Sequence, residues 1–188
     1  MCAMKVSLYG GAITSVIPEG FLDASMLREV PDTQEVFVNS RKENESFVDG
    51  LGMNESIVVD LLQRVDAVND DAALKVHIEE IASLNDAQEG FQVLKHDKIN
   101  GNSQSCIIVE SALKWGKQDL KESVLICVGL IRLKDVDTDA LITINVPLTQ
   151  QETGLKSETL PSRALAAYSL LHDMIKQFKV IDNSLFMQ

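Results

Sequence analysis

Two short arms of alternating character, Val6-Ser7-Leu8-Tyr9 and Ala12-Ile13-Thr14-Ser15-Val16-Ile17, flank the dipeptide Gly10-Gly11. A diglycine between such arms predicts a hairpin or a sharp bend at a strand end. Pro18 to Phe21 opens a turn-rich connection in which Asp23 or Ser25 can start a short helical turn, and Pro31 biases Val30 toward extended geometry. Glu35 to Ser40 follows as a strand. Arg41 to Gly52 is charged, holds two glycines and has few large apolar residues, which predicts an exposed loop.

From Asn54 the spacing changes. Ile57, Val58, Leu61, Leu62 and Val65 recur at helical spacing, with Glu55, Asp60, Gln63 and Arg64 facing outward, so the pattern predicts an amphipathic helix capped by Asn54. Asn69-Asp70-Asp71 breaks it. Two readings compete over Ala72 to Leu84: Leu74, Val76 and Ile78 alternate as in a strand, whereas Leu74, Ile78 and Ile81 fit a helix. A strand from about Leu74 to Leu84 is the expectation. A weaker strand covers Phe91 to Leu94, and Asn100-Gly101 marks a turn within the polar stretch His96 to Gln104.

Cys106 to Leu113, Ser123 to Leu133 and Leu141 to Val146 are dense in isoleucine and valine. The insertions between them, LKWGKQDLKE and KDVDTD, suit antiparallel neighbours and predict a meander that Pro147 ends. After a polar loop, Pro161 is placed at the first position of a long helix, in which Ala164, Tyr168, Leu171, Ile175 and Phe178 form one apolar stripe. A sheet covered on one face by this helix and on the other by the Asn54 helix makes an α+β layered domain. With no internal repeat or low-complexity tract, residues 1–188 read as a single domain.

Composition narrows the function. At 45% apolar, 188 residues supply an ordinary core. Apolar runs such as Val124 to Ile131 fall well short of the roughly 18 residues of a membrane-spanning helix. The start, MCAMKVSLYGG, does not read as a secretory signal, so residence inside the cell is expected and the sequons at Asn44 and Asn54 carry no weight. Cys2, Cys106 and Cys127 are odd in number and widely spaced, the pattern of small buried hydrophobes rather than of a disulfide or metal site. The formal charge of −11 opposes binding to nucleic acid or to an anionic membrane, and favours a basic protein surface.

Catalytic signatures are missing: there is no G-x-S-x-G or Cys-x-x-Cys, and His77, His96 and His172 are isolated, which suits structural or solvated roles. Gly50-Leu51-Gly52 lacks the frame of a nucleotide loop. Asp135-x-Asp137-x-Asp139 imitates the start of a calcium loop, but Ala140 and Val146 stand where a glycine and an acid are needed, so a solvated turn is expected. Trp115 is expected to cover the rim of the core. No cofactor or metal is called for.

Asp32 and Glu35 remain, placed where a proline turn runs into the strand. In one reading Pro31-Asp32 forms the middle of a type I turn, Asp32 bonds a nearby amide and Glu35 is simply solvated. In another, the turn fixes two carboxylates as a preformed anionic site for a partner's lysine or arginine. A general acid–base pair, the reading of a hydrolase, has no apolar pocket in the sequence to raise one pKa.

Beyond these physical readings, LYGGAITSVIPEGFLDASMLREVPDTQEVFVN closely resembles the amino-terminal part of the Mog family, the Ran-binding guanine-nucleotide release factors of nuclear transport. NESIVVDLL, ALKWGKQDL, GLIRL with DTDALITINVPL, and VIDNSLF look like their counterparts in fungal members, so the resemblance spans nearly the whole chain. It implies an antiparallel sheet of about six strands between helices, a fold shared with the photosystem PsbP proteins. It also implies a non-catalytic protein of nucleus and cytoplasm that binds the GTPase Ran and promotes loss of its nucleotide; separately from the resemblance, a monomer is the expectation. The acidic residues of the family's PDTQE segment fall on Asp32 and Glu35; Arg28, Gln34 and Asn39 match their neighbourhood. A PsbP-like ligand-binding or accessory role is the rival that the shared fold leaves open.

Overall fold

Two antiparallel sheets organise the chain in the structure, a computed structural model that describes residues 3–45, 47–85, 91–113, 121–152 and 154–187. β1 (Ala3–Leu8), β2 (Ile13–Pro18) and β10 (Lys179–Val180) make a three-stranded sheet in the order β1-β2-β10. β3 (Phe21–Asp23), β4 (Gln34–Asn39), β5 (Ser56–Gln63), β6 (Phe91–Asn100), β7 (Ser103–Leu113), β8 (Lys121–Leu133) and β9 (Thr138–Pro147) make a seven-stranded sheet in the order β3-β4-β5-β9-β8-β7-β6. With helices α1 (Asp70–Leu84) and α2 (Ser162–Gln177), the architecture is α+β, with seven and three strands where the resemblance implies about six.

The opening hairpin forms as the alternation predicts. Its bend is a single 3-10 turn, Tyr9–Gly11, in which Gly10 (φ 64°) and Gly11 (φ 98°) take left-handed conformations open to glycine. Tyr9 itself sits at φ 50°, an uncommon conformation for a bulky residue. The β6-β7-β8-β9 meander also forms, with β6 running six residues beyond the expected Leu94 and thereby placing His96 on a strand rather than in a loop. Trp115, Cys2 and most of the LKWGKQDLKE insertion lie outside the described residues.

Two expectations are reversed. The segment from Asn54 is not a helix but strand β5, hydrogen-bonded to β4 on one side and β9 on the other. Ile57 and Val59 point into one cluster with Leu61, while Leu62 packs on another, so burial on two faces hides the period of two that marks a strand. The segment after Asn69 is not a strand but helix α1. Asn69 caps it by accepting from the Ala72 N–H at 2.8 Å, and Asp70 and Asp71 sit in the first turn, where the helix dipole favours them. Its inner stripe is Ala73, Leu74, His77, Ile78 and Ala82; Val76, an inward residue in the strand reading, is exposed.

Alternate residues of the central strands feed two apolar clusters. Ile107, Leu125, Cys127, Ile142 and Ile144 pack with Ala164, Ala167, Leu170, Leu171 and Met174 of α2, together with Leu8, Ile13 and Ile17 of the small sheet. Cys106, Ile108, Ile126, Val128 and Leu130 pack with Ala73, Leu74 and Ile78 of α1. Gly129 lets α2 approach closely, since a Cβ there would lie 2.7 Å from Ile175 Cδ1 and 2.9 Å from Leu171 Cδ1. Pro161 is one residue earlier than expected, immediately before the first helical residue.

Charged segments hold more structure than their composition suggests. Arg41, placed in the expected exposed loop, has a buried side chain paired with Asp49, stacked over Phe47 (4.1 Å to the ring centre) and donating to the Glu19 carbonyl. In the acidic turn, Asp135 and Asp137 are exposed, but Asp139 is wholly buried. It accepts from the Val65 N–H at 3.0 Å, lies 2.9 Å from His77 Nε2, and forms an ion pair with Arg132 Nε at 2.7 Å. That network, rather than a solvated turn, is what the third aspartate serves.

Candidate partner-binding site

The turn that carries Asp32 is closed by the Gln34 N–H donating to the Pro31 carbonyl at 2.9 Å. Asp32-Thr33, not Pro31-Asp32, is therefore its centre. The Thr33 carbonyl accepts from the Leu61 N–H at 2.9 Å, which ties the turn to β5. The Asp32 side chain is exposed and makes no hydrogen bond among the described residues, so it does not serve the turn through an amide.

Glu35, the second residue of β4, is held differently. Its Oε1 accepts from the backbone N–H of Tyr9, across from the other sheet. The Tyr9 hydroxyl donates to the Val59 carbonyl at 2.7 Å and lies 3.1 Å from the Thr33 carbonyl. One tyrosine at the hairpin bend thus touches both carboxylate-bearing elements, the Asp32 turn through its ring end and Glu35 through its main chain. Glu35 is half-buried, and its Oε2 accepts no hydrogen bond among the described residues.

Among the described residues, no cation forms an ion pair with the carboxylates of this corner. Burial raises the Glu35 pKa above the ordinary carboxylate range; the Tyr9 N–H opposes the rise and the negative charge of Asp23 adds to it. Asp60, on the neighbouring strand, is also raised by burial, against the bond it accepts from Gln34 Nε2 at 2.6 Å and with a further push from Glu80. The Tyr9 phenol is raised by burial first and then by Asp60 and Glu35. Carboxylates held in this state gain from any cation that arrives.

The other candidate residues divide. Gln34 belongs to the corner through Asp60. Arg28 is exposed near the uncovered side chains of Met26 and Leu27, with its main-chain N–H on the Ala24 carbonyl. Asn39 faces internal work: its Nδ2 donates to the Gly52 carbonyl (3.0 Å) and to Glu55 Oε2 (3.1 Å), and its Oδ1 accepts from the Arg41 N–H. It fixes the loop after β4 and is not brought into the corner.

Reading the sequence residue by residue misses Tyr9, Asp23 and Asp60. Only the position of Tyr9 beside the diglycine bend gave a signal. Asp60 becomes visible through its register partner Gln34, which requires the β5 assignment. The histidines are structural where they are seen: His77 on Asp139, His96 at 3.0 Å from Gln104, and His172 at 2.9 Å from the buried Ser105 hydroxyl. Burial pushes the Cys106 thiol up to about 12 and Cys127 higher still, so neither behaves as a nucleophile.

Comparison with known proteins places the chain. Residues 6–147 match the family model described as Mog1, Ran-interacting Mog1 protein. The nuclear import protein MOG1 of Saccharomyces cerevisiae is 50% identical over 184 residues, covering 97% of this chain and 84% of that protein. The human Ran guanine nucleotide release factor is 29% identical over 161 residues, covering 81% of each. The crystal structure of the Saccharomyces cerevisiae Ran-binding protein Mog1p superposes with a TM-score of 0.90 at 49% identity, over 99% of both chains. This chain belongs to the family of Ran-interacting Mog1 proteins.

Proposed function

We propose that this protein binds the small GTPase Ran and promotes release of its guanine nucleotide, in support of protein import between cytoplasm and nucleus. The observation that carries the reading is the corner itself: an exposed Asp32 on a turn that the Tyr9 hydroxyl touches at Thr33, and a half-buried Glu35 held by the Tyr9 N–H, with no cation among the groups that shift Glu35. The names of the similar proteins, a nuclear import protein and a Ran guanine nucleotide release factor, support the identity of the partner.

The mechanism is conformational selection. A protein that grips nucleotide-free Ran more tightly than nucleotide-bound Ran by some factor must weaken nucleotide binding by the same factor. A hundredfold effect needs roughly 2.7 kcal/mol of differential contact. Two charge-assisted hydrogen bonds formed only with the open state supply that much. Because the turn and Glu35 are already fixed, little ordering is charged against them. The action requires no covalent step, which fits the absence of nucleophile motifs in the sequence.

The test is to mix the protein with Ran carrying a fluorescent nucleotide and to follow release and co-elution. Accelerated release that Asp32→Ala abolishes is the expected result. Release unchanged from the uncatalysed rate refutes the reading.

A further inference from the structure

At the edge of the seven-stranded sheet opposite β3 and β4, helix α1 and strand β6 enclose a groove of about 280 Å³. Leu74 and Ile78 of α1 and Phe91 and Val93 of β6 form its walls, with Cys106 of β7 at its base. All but Val93 belong to the α1 cluster; Val93 is 48% exposed and carries the apolar surface out to solvent. Asp71, Lys75 and His96 stand at the rim. Among the described residues β6 pairs with β7 alone, so the groove runs beside a free sheet edge. It is remote from the anionic corner. Five inter-strand spacings separate β4 from β6, roughly 24 Å at about 4.8 Å each, and the groove lies on the α1 face, whereas the small sheet that holds Glu35 packs with α2.

We propose that this groove docks an extended, acidic segment of a partner protein other than the GTPase, which adds to the edge of β6 and places a bulky apolar side chain between α1 and β6. Three features select that occupant. The free edge offers main-chain donors and acceptors in a row, and the side chains of an added strand alternate, so every second one is directed to the α1 face, where the apolar walls receive it. The rim is cationic for a chain of net charge −11. Lys75 and Lys98 are exposed there, each in one solvent-facing ion pair, with Glu79 at 3.6 Å and Asp71 at 3.3 Å, pairs worth little and readily exchanged for a partner's carboxylates. Finally, register shifts at Val93/Lys95 and Lys98/Asn100 interrupt β6, which suits a short segment and disfavours long sheet-to-sheet pairing. A second copy of this chain is therefore a poor occupant, because it needs a flat edge and brings a further net charge of −11. The inference goes beyond Ran binding and does not rest on it: the corner and the groove are two separate handles on one domain.

Val93 is exposed enough to carry a charge without disturbing the core, so Val93→Glu blocks the groove, and Lys75→Glu/Lys98→Glu reverses its rim. Random peptides displayed on phage are selected on the full-length protein, and the enriched sequences are synthesised and titrated by calorimetry against wild type and both variants, with melting and Ran binding recorded for each. Enriched peptides are expected to carry a bulky apolar residue flanked by acids and to shift amide resonances along β6 and α1. Alanine in place of that apolar residue, and Val93→Glu in the protein, should each weaken binding about tenfold or more, the worth of one large buried side chain. Reversing the rim should weaken it a few-fold and flatten its salt dependence. N-methylation of alternate peptide amides, which removes ladder donors, should abolish it, while Ran binds all variants equally and binds together with the peptide. No enrichment, equal binding to Val93→Glu, indifference to N-methylation, or competition with Ran overturns the proposal. So does a wild-type dimer that Val93→Glu dissociates, which makes a second copy the occupant. Each of these results leaves the Ran reading standing.

Discussion

Glu35→Gln separates binding from stability. Glutamine keeps an oxygen where Oε1 accepts from the Tyr9 N–H, so the link between the sheets survives; only the charge is removed. The charge is unfavourable in the free protein, because burial and Asp23 hold the Glu35 pKa above its unfolded value. A raised carboxylate contributes stability that is present below the unfolded pKa, near 4.5, and is lost as pH rises through the folded pKa. Above the raised pKa the wild type has lost that contribution. Glu35→Gln, which does not titrate, is therefore expected to be as stable as wild type within about 0.5 kcal/mol or more stable, with any advantage disappearing toward pH 4. Binding should move the other way. A hydrogen bond between a charged pair is worth roughly 1.5–3 kcal/mol, so Ran affinity should fall roughly 10- to 150-fold. Wild-type affinity should rise as pH climbs through the raised pKa, with Glu35 releasing a proton on binding, and this dependence should vanish in Glu35→Gln. Urea denaturation and calorimetry across pH 4–8 measure both quantities on the same samples. Parallel loss of stability and affinity, or an unchanged affinity, would falsify the assignment of Glu35 as a charge presented to a partner.

Other expectations follow from the same structure. Tyr9→Phe removes the hydroxyl from the Val59 and Thr33 carbonyls and should cost about 1 kcal/mol in urea denaturation. On that background Asp32→Ala should lose part of its effect on Ran binding, since the turn is no longer held. Asp139→Ala leaves Arg132 and His77 buried without their shared carboxylate and should destabilise by about 3–5 kcal/mol, seen as a large drop in melting temperature. Gly129→Val places side-chain atoms where Ile175 and Leu171 already lie and should cost about 1–3 kcal/mol while leaving the corner's chemistry intact, checked by melting and by Ran titration.

How far the sequence could be read depended on how each element is buried. The opening hairpin, the meander and α2 have one dominant apolar pattern each, and the pattern survives in the fold. β5 is paired on both edges and buried on both faces, so Ile57, Val58, Leu61 and Leu62 imitate a helical repeat. In α1 three of the five inward residues, Ala73, His77 and Ala82, weigh little in an apolar count beside Leu74 and Ile78, while Val76 points outward. The N-terminal signal, Asn69 followed by two aspartates, was legible as a helix start and equally as a break. At the site, Asp32 and Glu35 were marked by the proline turn and by resemblance to the Mog family. Tyr9 was not, because its role needs a contact 26 residues away in sequence between two different sheets.

That contact makes the anionic corner a rivet through a seam. Glu35 hangs from the large sheet, and the N–H that orients it comes from the small one, whose last strand is supplied by the far end of the chain. Prising the layers apart would disarm the corner without altering any residue in it. By reciprocity, a GTPase seated there clamps the layers together, so amides along the first hairpin should exchange more slowly in the complex than in the free protein.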